Sequence, residues 1–192
     1  MLRYYHKLGL YERTGVDLPG EANSIMHKLD KIGAVELATM SFGQSIQITP
    51  LQLMRAVSAG INGGRLVTPL EKKNPVTKEI TEYEYKEKAG AVSKETSQTL
   101  REVLEAVVAE GTGKNGQVEG YRVGGKTATS EKLPRRSGKY ISSFLGFAPA
   151  NHPKILGLVL IDEPQGTYYG GVIAAPVMAE IFQNVLPYLD NL

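Results

Sequence analysis

Lys126 is followed by Thr127, Ala128, Thr129 and Ser130, with Gly124 and Gly125 directly in front of it. A lysine carries three N–H donors and a fixed charge, and each hydroxyl offers one proton and two lone pairs. Set along one extended segment, with main-chain N–H groups as further donors, these residues can hold an anion or a carbonyl oxygen. The next stretch, Tyr140-Ile-Ser-Ser-Phe-Leu-Gly-Phe-Ala148, has the apolar pattern of a strand able to carry and cover such a segment.

Three chemistries compete for these residues. Gly120-Tyr-Arg-Val-Gly-Gly125-Lys126-Thr127 has the form of a phosphate loop, which needs a buried strand before it and a helix opening at the lysine. The flanks speak against it: Gly111-Thr-Gly-Lys-Asn-Gly-Gln117 precedes, and Pro134 follows with no helical stripe between. A second reading takes Lys126 as a solvated charge and Thr127 and Thr129 as ordinary strand residues. The third is a carboxylate and acyl-carbonyl site on a strand beside a cleft.

Composition removes several alternatives. With no cysteine, the 192 residues can form no disulfide, zinc–thiolate site or thiol nucleophile. His6, His27 and His152 are too scattered for metal-ligand spacing, and nothing calls for a cofactor. A net charge of +2 is too mild to imply a nucleic-acid or anionic-membrane partner. The longest apolar run, over 155–161, is too short to span a bilayer, and residues 1–7 lack the apolar stretch of a signal peptide. No direct membrane contact is therefore expected of these residues. Apolar and charged fractions of 42 % and 22 % are those of an ordinary globular domain.

The elements that must position the motif follow from periodicity and punctuation. A short amphipathic helix is expected within 1–12, with Leu2, Tyr5, Leu8 and Tyr11 near one face, and it starts as if already in progress inside a larger domain. Residues 38–44, small and polar, read as a structured loop. Thr49, Pro50 and Gln52 form a capping box that starts a helix with Leu53, Val57 and Ile61 on one face, stopped by Asn62-Gly-Gly64. A short strand over 65–70 and a charged ribbon or hairpin over 72–90 follow. The 93–109 segment is a helix whose apolar stripe is Leu100, Val103, Leu104 and Val107. Residues 111–116 read as a flexible loop, 118–123 as a strand leading into the motif, and 140–148 and 154–161 as an antiparallel hairpin central in its sheet. A last helix over 173–188 carries Met178, Ile181, Phe182, Val185 and Leu189. The expected class is α+β, an antiparallel sheet covered by helices.

Seven stretches in register then carry a resemblance: Thr14-Gly-Val-Asp-Leu-Pro-Gly-Glu21, Ala38-Thr-Met-Ser-Phe-Gly-Gln44, Ile48-Thr-Pro-Leu-Gln-Leu53, Asn62-Gly-Gly64, Gly125-Lys-Thr-Ala-Thr129, Ser143-Phe-Leu-Gly-Phe-Ala-Pro149, and Tyr169-Gly-Gly171 with Ala175-Pro176. Together they resemble the C-terminal portion of the transpeptidase domain of class B penicillin-binding proteins. Lys-Thr-Ala-Thr-Ser followed by Leu133-Pro-Arg is most similar to sporulation-type members, of the stage V sporulation protein D kind. The resemblance implies a partial penicillin-binding/β-lactamase-like transpeptidase fold, with 1–192 as one part of a single domain. It implies serine acyl transfer that cross-links peptidoglycan stem peptides, with D-Ala-D-Ala peptides and β-lactams as ligands and divisome or spore-cortex proteins as partners. The parent domain would lie on the outer face of the cytoplasmic membrane. Lys126-Thr127-Ala128 matches the Lys-Thr-Gly motif. Lys126 and Thr127 would engage the ligand carboxylate, and the Thr129 N–H would supply half of an oxyanion hole. Ala128 departs from the motif's glycine by one methyl.

The motif set is incomplete within these residues. None of the ten serines has a lysine three residues on, and no Ser-x-Asn occurs. Without an activated nucleophile acyl transfer has no first step, so this chain alone is expected to be inactive, as a piece of a longer domain. Apolar surface made for the rest of that domain would leave it poorly soluble or oligomeric. The alternative is a non-catalytic module that binds D-Ala-D-Ala or a protein partner.

Overall fold

Thr49 and Pro50 start a helix in the way their types dictate. The Thr49 hydroxyl accepts the Gln52 N–H at 3.1 Å, and the Gln52 side-chain oxygen accepts the Thr49 N–H at 2.9 Å, which satisfies two donors that a helix start leaves bare. In the computed structural model, which describes residues 1–16, 18–68, 77 and 87–190, this helix belongs to the first of two compact units, Met1–Lys94 and Glu95–Leu192.

The first unit contains α1 (Leu2–Lys7), α2 (Ala34–Ser41), α3 (Pro50–Ile61) and two antiparallel two-residue strands, β1 (Leu66–Val67) and β2 (Glu87–Lys88). α1 is shorter than the expected 1–12 segment. The expected loop over 38–44 is a correction: residues 38–41 close α2. Ala, Leu and Met favour helix, the Glu36 carboxylate accepts the Gly33 N–H at 2.9 Å, and Met40 is fully buried. α3 buries Ala56, Ala59 and Ile61, while Leu53 and Val57 are only half-buried. Its inner face also carries Gln52, whose amide donates to the Glu12 carbonyl at 2.8 Å. Arg55 donates to the carbonyls of Val67 and Arg13 at 3.1 and 3.2 Å. Loop carbonyls thus claim side chains that periodicity alone cannot assign. In the Thr14–Glu21 turn the Glu21 carboxylate accepts both the main-chain N–H and the hydroxyl of Thr14. Those bonds hold the carboxyl below its usual range, against the opposing, largest influence of its desolvation. Most of the expected ribbon over 72–90 lies outside the described residues.

The second unit holds α4 (Lys94–Ala109), the strands β3 (Gly124–Glu131), β4 (Tyr140–Ala148) and β5 (Ile155–Asp162), and α5 (Gly170–Ile173) and α6 (Ala175–Asp190). The sheet order is β3-β4-β5, antiparallel throughout, with Thr127 opposite Phe144 and Phe144 opposite Val159. The α+β class expected from the pattern is the class observed. Residues 118–123 are not a strand: the Tyr121 N–H closes a turn on the Val118 carbonyl around Gly120, whose φ is +81°. Among the described residues the hairpin is not central as a whole either. β4 is the middle strand, and β5 pairs with β4 alone among the described residues.

The core of this unit gathers Val108 of α4, Phe144 of β4, and Met178, Phe182 and Leu186 of α6. Gly146 and Gly157 let α6 approach, since a Cβ at either would press on Met178. The expected α6 stripe holds at Met178 and Phe182, but Ile181 faces outward and Leu186 takes an inner position. On α4, Val103 is 55 % exposed and Val108 is buried in its place. Gly170–Asp190 is long and apolar enough to cross a membrane by length and composition, and α6 uses that apolarity in the core.

Candidate functional site

β3 brings the hydroxyl residues to an edge. It pairs with β4 alone among the described residues. The Lys132 N–H donates to the Lys139 carbonyl at 2.8 Å at the mouth of the β3–β4 hairpin. Main-chain groups alternate in direction along an antiparallel ladder. Counting back from Lys132, Ser130, Ala128 and Lys126 therefore face β4, and Thr129 and Thr127 turn their N–H and C=O groups to the open edge. Their side chains share one sheet face, and Lys126 and Ala128 point to the other.

A cavity of about 380 Å³ lies on the threonine side, lined by Thr127, Ala128 and Thr129, by 111–115 without Gly113, and by 169–172. Lys126 is exposed and not among the lining residues; its ammonium donates to the Thr127 carbonyl at 2.8 Å. Lys114 is the cation of the lining set. The structure thus collects Thr127, Ala128 and Thr129 in one wall and sets Lys126 beside it.

The other two walls are fastened. α4 ends as the N–H groups of Gly111 and Gly113 both meet the Val107 carbonyl, at 3.1 and 3.0 Å. The Gln117 amide donates to the carbonyls of Val108 and Ala109 at 3.0 and 2.9 Å, and Gly116 packs on the Phe144 ring. The expected flexible loop over 111–116 is thus a tied loop, because the last carbonyls of α4 need partners. The 169–172 segment is held by the Ser142 hydroxyl donating to the Tyr168 carbonyl and by Tyr168 stacked on Tyr140 with ring centroids 4.0 Å apart. Gly170 then crosses so close to the sheet that a Cβ would fall on the carbonyl oxygens of Ser143 and Ala128. The Gly170 N–H donates to Thr129 Oγ1 at 3.1 Å, Thr112 and Thr127 share a hydroxyl–hydroxyl bond of 3.2 Å, and Asn115 donates to the Gly171 carbonyl at 2.8 Å.

Thr112, Lys114 and Asn115 were invisible to motif reading. The one signal in the sequence is that 111–116 mixes glycines with a hydroxyl, an amide and an ammonium directly ahead of the motif. The phosphate-loop reading fails on geometry: Lys126 and Thr127 lie inside a strand, with no helix opening at the lysine.

What this site is attached to is settled by comparison. The chain is 45 % identical to stage V sporulation protein D of Bacillus subtilis, over 98 % of this chain and 30 % of that protein. Its fold matches the TP domain of Burkholderia pseudomallei penicillin-binding protein 3 with a TM-score of 0.83 and 33 % identity, over 98 % of this chain and 57 % of that one. It matches Mycobacterium tuberculosis penicillin-binding protein 3 complexed with ampicillin with a TM-score of 0.83 and 29 % identity, over 100 % and 46 %. The chain spans about a third to a half of the length of curated relatives (30 % and 46 % of two of them). The family model for the penicillin binding protein transpeptidase domain covers residues 1–183. Since that match takes in every wall of the β3 cavity and runs on into α6, the chain belongs to the penicillin-binding protein transpeptidase domain family.

Proposed function

We propose that these 192 residues supply the carboxylate-holding half of a peptidoglycan D,D-transpeptidase site, as the C-terminal portion of one transpeptidase domain. The observation that carries this reading is the edge geometry of β3. Thr127 and Thr129 line a cavity with their side chains and turn main-chain donors to the open side of the strand. A stem peptide ending in D-Ala-D-Ala, or a β-lactam, would lie along that edge. Its carboxylate would meet the Thr127 and Thr129 hydroxyls, with Lys126 supplying positive charge at the same stretch of strand. The Thr129 N–H would hold the oxygen on which charge develops during acyl transfer. Ala128 lines the cavity as well, with its methyl turned to the other sheet face. The nucleophile must come from outside this sequence, because no Ser-x-x-Lys lies within it. The whole domain would act on the outer face of the cytoplasmic membrane, where its substrate is. Its partners would be divisome or spore-cortex proteins.

The absence of Ser-x-x-Lys and Ser-x-Asn from these residues also favours a second reading, a non-catalytic D-Ala-D-Ala-binding module. Both readings expect reversible binding of an N-acylated D-Ala-D-Ala peptide that is lost in Lys126→Ala, measured by calorimetric titration. Labelling with a fluorescent β-lactam addresses the chemistry. No covalent adduct is expected on this chain by itself, and an adduct would refute the assignment of the nucleophile to another part of the protein.

A further inference from the structure

The Thr112–Thr127 bond is a polar contact at the β3 wall of the cavity whose direction the heavy atoms leave open. A hydroxyl has a single proton. If Thr127 gives its proton to Thr112, it has none for a ligand. If Thr112 gives its proton, Thr127 keeps its own to point into the cavity. Thr129 shows which arrangement its neighbour resembles. The Gly170 N–H can only donate, and it does so to Thr129 Oγ1 at 3.1 Å, leaving the Thr129 proton free. The two threonines are two residues apart on one strand face and line the same cavity.

We infer that Thr112 is a positioning residue of the carboxylate subsite: it donates to Thr127 Oγ1, so that Thr127 and Thr129 both present O–H donors to one carboxylate. This rests on the carboxylate reading of β3 given above. A carboxylate accepts only, so it selects the arrangement with two protons turned toward it. Donor chains of this kind also polarise the terminal O–H. Thr112 is held where it can do this. Its carbonyl oxygen lies where a side chain on Gly171 would stand, and Asn115 of the same loop bonds the Gly171 carbonyl at 2.8 Å. The bonds of Gly111, Gly113 and Gln117 to the end of α4 anchor the loop from behind. The loop and the 169–172 segment therefore each deliver one hydrogen bond to one β3 hydroxyl.

The test compares an N-acylated D-Ala-D-Ala peptide with its C-terminal carboxamide, titrated against the parent chain, Thr112→Val and Thr112→Ser. The parent should prefer the free acid. Thr112→Val should lose about tenfold of that preference, the scale of one hydrogen bond to a charged group, with carboxamide affinity unchanged. Thr112→Ser should retain the preference within about twofold, since it keeps the proton. Circular dichroism and a thermal melt establish that each variant is folded. Full acid preference in a folded Thr112→Val overturns the inference. An equal loss for both ligands also overturns it, by making Thr112 structural only. A parent chain with no acid preference removes the carboxylate reading of β3 itself, an outcome visible before any variant is made.

Discussion

Gly170 occupies a position that no other residue type can take without moving main chain. A Cβ there would fall on the Ser143 carbonyl and stand 2.5 Å from the Ala128 carbonyl, neither of which can rotate away. Gly170→Ala should therefore destabilise the protein by about 1–3 kcal/mol, the usual cost of overpacking. It should also weaken peptide binding, because the Gly170 N–H leaves Thr129 Oγ1. A thermal melt beside a peptide titration reads both effects; an unchanged melting temperature would mean that the segment lifts away freely. Lys126 poses a different question at this scale. Its ammonium sits on the Thr127 carbonyl and not in the cavity wall, so in the proposed site it would act as a charge beside the hydroxyls. Screening by salt should weaken it more than the Thr112–Thr127 bond.

Among the elements, α4 and the segment ahead of β3 are joined by one well-formed pair. The Arg122 guanidinium grips the Glu105 carboxylate through two bonds of 2.6 and 2.7 Å. The hydrogen bond from Arg122 holds the Glu105 carboxyl below its usual range, against some desolvation. A carboxyl with a lowered folded pKa stabilises the fold above its unfolded value, near 4.3, and this contribution disappears as pH falls through the folded value. Glu105→Gln should lower the melting temperature at neutral pH and flatten the acid limb of the stability curve. Superimposable acid limbs would show that the pair does not contribute. At the other end of β3, Lys132 bridges Asp162 and Glu163 at 3.0 and 2.8 Å. These pairs lie on the hairpin rim, with Asp162 exposed and Lys132 and Glu163 half-buried, and solvent-screened pairs of this kind contribute little to stability.

For the whole molecule the exposed apolar surface is decisive. Leu160 on β5 is 47 % exposed, and Val103 on α4 and Val177 and Ile181 on α6 are also uncovered. β5 presents an edge that is unpaired among the described residues. An apolar edge strand and uncovered apolar side chains are templates for association. The chain by itself should therefore self-associate as its concentration rises, measured by sedimentation velocity. A monodisperse monomer with cooperative unfolding would contradict this.

The capping box at Thr49–Gln52, the β4 and β5 strands, the α4 and α6 spans and the Lys126–Thr129 segment were all legible from residue order. Each depends on local rules: a cap three residues from its partner, alternation along a strand, a 3.6-residue period. What the order of residues could not show was decided between distant segments. Val103 is exposed and Val108 buried because packing, and not periodicity, chooses the inner face of α4. The 111–116 loop is tied to α4 because the helix's final carbonyls demand partners that Gln117 and two glycine N–H groups supply. Lys126 and Thr127 are adjacent in sequence, yet a strand sends neighbouring side chains to opposite faces, so only Thr127 lines the cavity. Thr112 reaches Thr127 across fifteen positions of sequence, a contact made by the fold alone. The amino-acid order set which donor-bearing residues lie together along β3, and the tertiary structure decided which of them meet residues from other elements, because hydrogen bonds between loops and strands carry no local signature.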